Sequence, residues 1–123
     1  MRSCRIYLGV VLGLVGLTIF TPNLWGADWK EFAEATTGTF YYDATSVRSP
    51  STGMVRVWIH NVTKHETSLI EFNCGGGSYR VLDLVEYDES GRVKNRHDYY
   101  DNPNWSTISP KSIPEPLRPI VCQ

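Results

Sequence analysis

The chain has 123 residues, with 12 basic and 13 acidic side chains for a formal net charge of −1, and 41% of its residues are hydrophobic. Nucleic-acid recognition needs a clustered basic face, which this balance does not supply, so no nucleic-acid partner is expected. The length admits one small domain whose core is only marginally large enough to stand alone.

The chain opens with a segment unlike the rest. Arg2 and Arg5 precede an uncharged, proline-free run from Ile6 to Phe20, and the small pair Gly26-Ala27 follows. That is the order of parts in a secretory signal peptide. Residues 1–27 are therefore expected to be cleaved after Ala27, leaving residues 28–123 as the exported domain. A membrane-spanning helix is the rival reading of Ile6 to Ala27, but Pro22 and Asn23 interrupt it. Cys4 lies before the apolar core, where it cannot act as a lipidation cysteine. The expected location is the periplasm, the cell surface or the extracellular space, with no membrane contact after cleavage.

Cys4 leaves with the signal, and only Cys74 and Cys122 remain. In an oxidising compartment two such cysteines are expected to pair. The bond would tie the chain end to mid-domain, and closing a loop of this length stabilises by roughly 4 kcal/mol in the chain-entropy model.

The first mature element is read as a strand from about Trp29 to Ala35, because a helix started by Asp28 and Glu31 would be too short to stand by itself. It turns at Gly38 into Thr39-Phe40-Tyr41-Tyr42, whose aromatic content suits a pleated surface. Ser49 to Gly53 reads as a loop. Met54 to Asn61 is the clearest strand, with Val55, Val57 and Ile59 alternating with Arg56, Trp58 and His60. Thr67 to Cys74 repeats the device: Ser68, Ile70, Phe72 and Cys74 share one side, and Leu69, Glu71 and Asn73 the other. Gly75 to Ser78 turns the chain. Tyr79 to Tyr87 returns with Val81, Val85 and Tyr87 opposite Leu82 and Leu84, an element expected to be buried on both faces over part of its length. Asp88 to Gly91 is a hairpin turn leading into a polar edge strand at Arg92 to Arg96. Five of the seven prolines fall from Pro103 onward. Pro114, Pro116 and Pro119 then limit any helix near Ser112 to Leu117 to about one turn. The fold expected is mainly β, a single antiparallel sheet of about six strands with a short C-terminal helical turn or irregular tail.

Trp29, Tyr41-Tyr42-Asp43 with Ser46-Val47, Val57-Trp58, Glu71-Phe72-Asn73-Cys74, Glu86-Tyr87-Asp88 with Gly91, Trp105-x-x-Ile108-x-Pro110-x-Ser112 and Val121-Cys122 occur in an order that resembles the surface-adhesin protein E family. The resemblance spans nearly all of residues 28–123. It implies an antiparallel sheet of about six strands packed with a C-terminal helix. It also implies binding of extracellular-matrix and plasma proteins such as vitronectin, laminin and plasminogen.

The remaining residues carry weaker signals. His60, His65 and His97 with Asp98 and Asp101 would form a metal site only if neighbouring strands brought them together. Ser46 or Ser68 would complete a nucleophile triad only by geometry, since no nucleophile-elbow sequence is present. Asp43 and Ser46 are expected to make local turn hydrogen bonds. Gly75 to Ser78 precedes a strand rather than a helix, so it reads as a hairpin connection and not a phosphate cradle. Asn61 and Asn104 each begin a glycosylation sequon with no assigned role. Tyr99, Tyr100 and Trp105 are the candidate partner contacts, because aromatics on a polar loop stack on sugars or anchor proteins. The alternative is that they cover a thin core. The reading is an exported noncatalytic envelope or adhesion-like module, not an enzyme, with no cofactor and with matrix proteins, envelope proteins or glycans as partners. The rival is a small secreted hydrolase or metal-dependent enzyme using His60, His65 or His97 with nearby carboxylates.

Overall fold

The computed structural model describes residues 27–101 and 104–123. The apolar run of the expected signal peptide lies outside these residues. The described chain forms β1 (Trp29–Ala35), β2 (Gly38–Asp43), a 3-10 turn (Ala44–Ser46), β3 (Arg48–Ser51), β4 (Met54–Asn61), β5 (Glu66–Asn73), β6 (Ser78–Tyr87), β7 (Val93–Asp98), β8 (Ser106–Thr107) and α1 (Pro114–Val121). All strands join one antiparallel sheet in the order β1-β2-β4-β5-β6-β7, with β3 pairing to β4 and β8 to β6. Sequential neighbours joined by short turns account for most of this order. The exceptions are β2, which pairs with β4 beside β3, and β8, which pairs with β6 rather than β7.

The turns follow from their residues. Gly38 starts β2 with φ 145°, and a Cβ there would lie 2.3 Å from Asn61 Oδ1, so a side chain is excluded by both conformation and space. Asn61 is itself buried, its Oδ1 accepting from the Thr63 and Lys64 amides and its Nδ2 donating to the Thr37 carbonyl. This sequon asparagine is therefore spent on fastening two turns. Asp43 caps the 3-10 turn, where Oδ1 accepts from the amides of Asp28 and Thr45 and from the Thr45 hydroxyl. Burial works to raise its pKa, but these bonds and Arg48 outweigh it and lower the value. Ser46 Oγ donates to the Asp43 carbonyl and accepts from the Trp58 amide, so both residues make the expected local turn bonds and also tie the turn to Asp28 and to β4.

The first face of the sheet holds the main apolar cluster, while Leu69 and Val85 are buried on the second. Val57 stands opposite Ile70, and Val55 opposite Phe72. Tyr42, Val57, Ile59, Ile70 and Phe72 cluster with Leu117 and Val121 of α1. Val55, Val57 and Ile59 thus share one face, with Trp58 on the other, in the expected register. Phe32 sits where the β1–β2 register shifts, and its ring meets Phe40 and Tyr42 on the core side.

Three details differ from the sequence reading. Arg48–Ser51 is a short exposed strand rather than loop, paired to β4 at Arg48↔Arg56 and Ser51↔Met54; Pro50 is tolerated because β3 adds only a short, irregular edge. In β6 the register shifts, with Leu69 opposite Asp83 but Ile70 opposite Val81. The extra residue, Leu82, reverses the alternation, so Val81 and Leu84 share the core side while Val85 faces the other. Finally, α1 runs eight residues, longer than one turn. Pro114 and Pro116 fall in its first turn, where amides have no intrahelical partner anyway. Only Pro119 removes an interior donor, and buried Leu117 and Val121, one helical turn apart, outweigh that loss. The disulfide Cys74–Cys122 pins the helix end to the end of β5, and Arg118 Nη2 donates to the Cys74 carbonyl at 2.6 Å.

Candidate functional site

The second face of the sheet is charged at its centre. The β4–β5–β6 register lines up Arg56, Glu71 and Arg80 across three strands. Glu71 Oε2 accepts from Arg56 Nε at 2.8 Å, and Oε1 accepts from Arg80 Nε at 2.9 Å. The Glu71 side chain is 4% exposed, whereas Arg56 retains 34%. Burial alone would raise the Glu71 pKa, but the hydrogen bonds and charges of the two guanidinium groups prevail and hold its carboxyl below the usual range. Beside this triad, Asp83 is buried and bridged by Arg96 Nη2 at 2.6 Å.

The loop after β7 lies against this face. It leaves the sheet with the Tyr99 amide on the Leu82 carbonyl, and Asp98 Oδ1 accepts from the Tyr100 amide. The Arg56 guanidinium stands 6.0 Å from the Tyr100 ring centroid, and that of Arg80 stands 4.7 Å from the Trp105 ring. The result is one connected ladder, Tyr100–Arg56–Glu71–Arg80–Trp105, in which a buried carboxylate orients two arginines and each arginine carries an aromatic ring. Trp105 is half-buried, while Tyr100 is 46% exposed. Core cover and outward presentation are thus divided between the two rings.

Tyr99 belongs elsewhere. Its ring stacks on His97 at 6.1 Å between centroids, and it is 38% exposed. Of the three candidate contacts, Tyr100 and Trp105 therefore come together and Tyr99 stands beside them at the loop entrance. Arg56 and Arg80 are the residues the sequence reading missed. Both could have been found by aligning the charged positions of the three strands, once Glu71 was placed opposite a core face.

The three histidines do not converge on one site, although two of them are neighbours. His60 bonds Thr67 Oγ1 through Nδ1 at 3.0 Å and tilts against Trp29, and it lines a cleft together with His65. His97 instead lies 3.9 Å from Glu86. Among the described residues no three His, Cys, Asp or Glu side chains are grouped as metal ligands.

The sequence model of surface-adhesin protein E matches residues 29–123, which take in every strand and the helix. The chain belongs to the surface-adhesin protein E family. No curated protein and no solved structure gives a significant match. Membership carries an adhesin-like role at a surface, and the sheet with its disulfide-tied helix is the scaffold that this family member offers for it. Among the described residues no helix is long and apolar enough to cross a membrane.

Proposed function

We propose that residues 28–123 act as an exported, noncatalytic binding module that engages extracellular-matrix proteins or other surface proteins and glycans through the loop carrying Tyr99, Tyr100 and Trp105. Family membership supports the adhesive role. The observation that carries the choice of surface is the arginine–aromatic ladder. A Tyr ring nearly half exposed, held over a guanidinium that a buried carboxylate fixes in place, offers contact area at low entropic cost. Tyr, Trp and Arg are also the residue types that dominate binding hot spots.

The basic start, the apolar run and the small pair at Gly26-Ala27 support export. Mass spectrometry of the exported protein should find a mature start near Asp28; an intact Met1 would contradict cleavage. Binding is tested by presenting the mature protein to immobilised matrix proteins, plasminogen and envelope glycans. Saturable binding to at least one is expected, and failure to bind any member of these classes would overturn the reading.

A further inference from the structure

A cleft of about 450 Å³, sharing no residue with the arginine–aromatic ladder, opens where the β4–β5 and β6–β7 turns meet. Its size is that of a small-ligand site. Trp29 and Tyr87 give it aromatic walls, His60 and Thr67 come from the second face of the sheet, and Asp88 and Glu89 bring carboxylates. The parts are held by the fold. The Tyr87 amide donates to the His65 carbonyl at 2.9 Å, which joins the two turns. Asp88 Oδ1 accepts from the Ser90 hydroxyl and from the Ser90 and Arg92 amides. These bonds, the hydroxyl first, keep its carboxyl below the usual range and so ionised. The imidazole of His60 is pushed below its ordinary pKa by burial, and at neutral pH it is uncharged.

The charge of the cleft is therefore negative. Among the described residues that line it there is no lysine or arginine. On the arginine–aromatic ladder the rings carry the chain's own guanidinium groups, Arg56 on Tyr100 and Arg80 on Trp105. The ring of Trp29 tilts against the His60 ring, and Asp88 and Glu89 line the same cleft. Aromatic faces attract cations through their quadrupole, Trp most strongly, and carboxylates add a counter-charge. Phosphates, sulfates and acidic sugars would meet repulsion at the same place. We propose that this cleft is a binding site for an organic cation, an alkylammonium or guanidinium group, received against Trp29 and Tyr87 and countered by Asp88 and Glu89. The inference does not depend on the ligand of the Tyr99–Trp105 loop.

Titration of the mature protein, followed by NMR at the Trp29 indole and Tyr87 amide, tests it. The probes are tetramethylammonium, Nα-acetyl-lysine methylamide, the peptide Gly-Lys-Gly with capped ends, the neutral isostere Nα-acetyl-norleucine methylamide, and glucose. The cationic probes are expected to shift these resonances saturably, and norleucine and glucose are not. Tighter binding of the capped peptide than of tetramethylammonium would assign the site to a basic side chain on a protein, and the reverse order to a free small cation. Glu89→Gln, an exposed substitution that leaves the turn intact, should weaken cation binding about threefold or more, and Trp29→Leu about tenfold. Equal binding of the norleucine or glucose probe, absence of saturable shifts, or unchanged affinity in Glu89→Gln would overturn the proposal.

Discussion

Replacing both Cys74 and Cys122 with alanine removes the one covalent tie between α1 and the sheet without leaving a lone thiol. The bridged residues are 48 apart in sequence, for which loop-closure entropy alone gives about 4 kcal/mol, and native disulfides commonly deliver ~2–4 kcal/mol. At this domain size each kcal/mol moves the melting midpoint by roughly 4–8 °C, so a fall of roughly 8–30 °C is expected. The helix retains other holds: Leu117 is fully buried, Val121 nearly so, and Arg118 still reaches the Cys74 carbonyl. An eight-residue helix is nevertheless marginal when freed from its anchor. Urea unfolding should therefore show the whole loss in stability, while hydrogen exchange in the double variant accelerates first over Pro114–Val121. A loss below about 1 kcal/mol, with exchange unchanged over the helix, would show that apolar packing alone holds α1 and that the entropic argument fails here.

Other predictions concern single side chains. Glu71→Gln leaves two arginines without their carboxylate and should cost about 2–4 kcal/mol, the lower end reflecting the partial exposure of Arg56. Because the folded-state pKa of Glu71 is depressed, its contribution is present above the unfolded value near 4.5 and is lost as pH falls through the folded value; acid titration of stability should be shallower in the variant. His60 has a folded pKa below its ordinary 6.5, so the unfolded chain binds the proton first and stability should decline as pH falls from about 6.5 toward the folded value. His60→Gln should flatten that limb of the pH–stability curve. Gly38→Ala forces a Cβ onto Asn61 Oδ1 at a positive φ, and thermal melts should report a loss of about 2–4 kcal/mol.

Much of the sheet is legible in the sequence because single-face burial stamps a period of two on β4 and β5. Val55, Val57 and Ile59 mark their face without ambiguity, as do Ile70 and Phe72. The same rule misreads β6, since it assumes no inserted residue, and apolar side chains at both Leu82 and Leu84 hide the bulge. The C-terminal helix is obscured by its prolines. The spacing of Leu117 and Val121 was the available signal, and the prolines at the helix start weaken it less than their number suggests. The candidate site was half visible. Tyr100 and Trp105 stand out as aromatics in a polar loop, but their placement over Arg56 and Arg80 depends on the register of three strands and on where the chain crosses after β7, neither of which local pattern encodes.

The most direct test of the account compares the mature protein with a Tyr99→Ala, Tyr100→Ala, Trp105→Ala variant by biolayer interferometry against whichever matrix protein, plasma protein or glycan the parent captures, with circular dichroism melts of both. The account predicts that the variant still melts cooperatively, at a midpoint lowered by loss of the half-buried Trp105, while affinity falls by about tenfold or more, as loss of an aromatic hot spot would produce. Equal binding by the two proteins, or a variant that no longer folds, would show that these rings only cover the sheet and that the contact surface lies elsewhere.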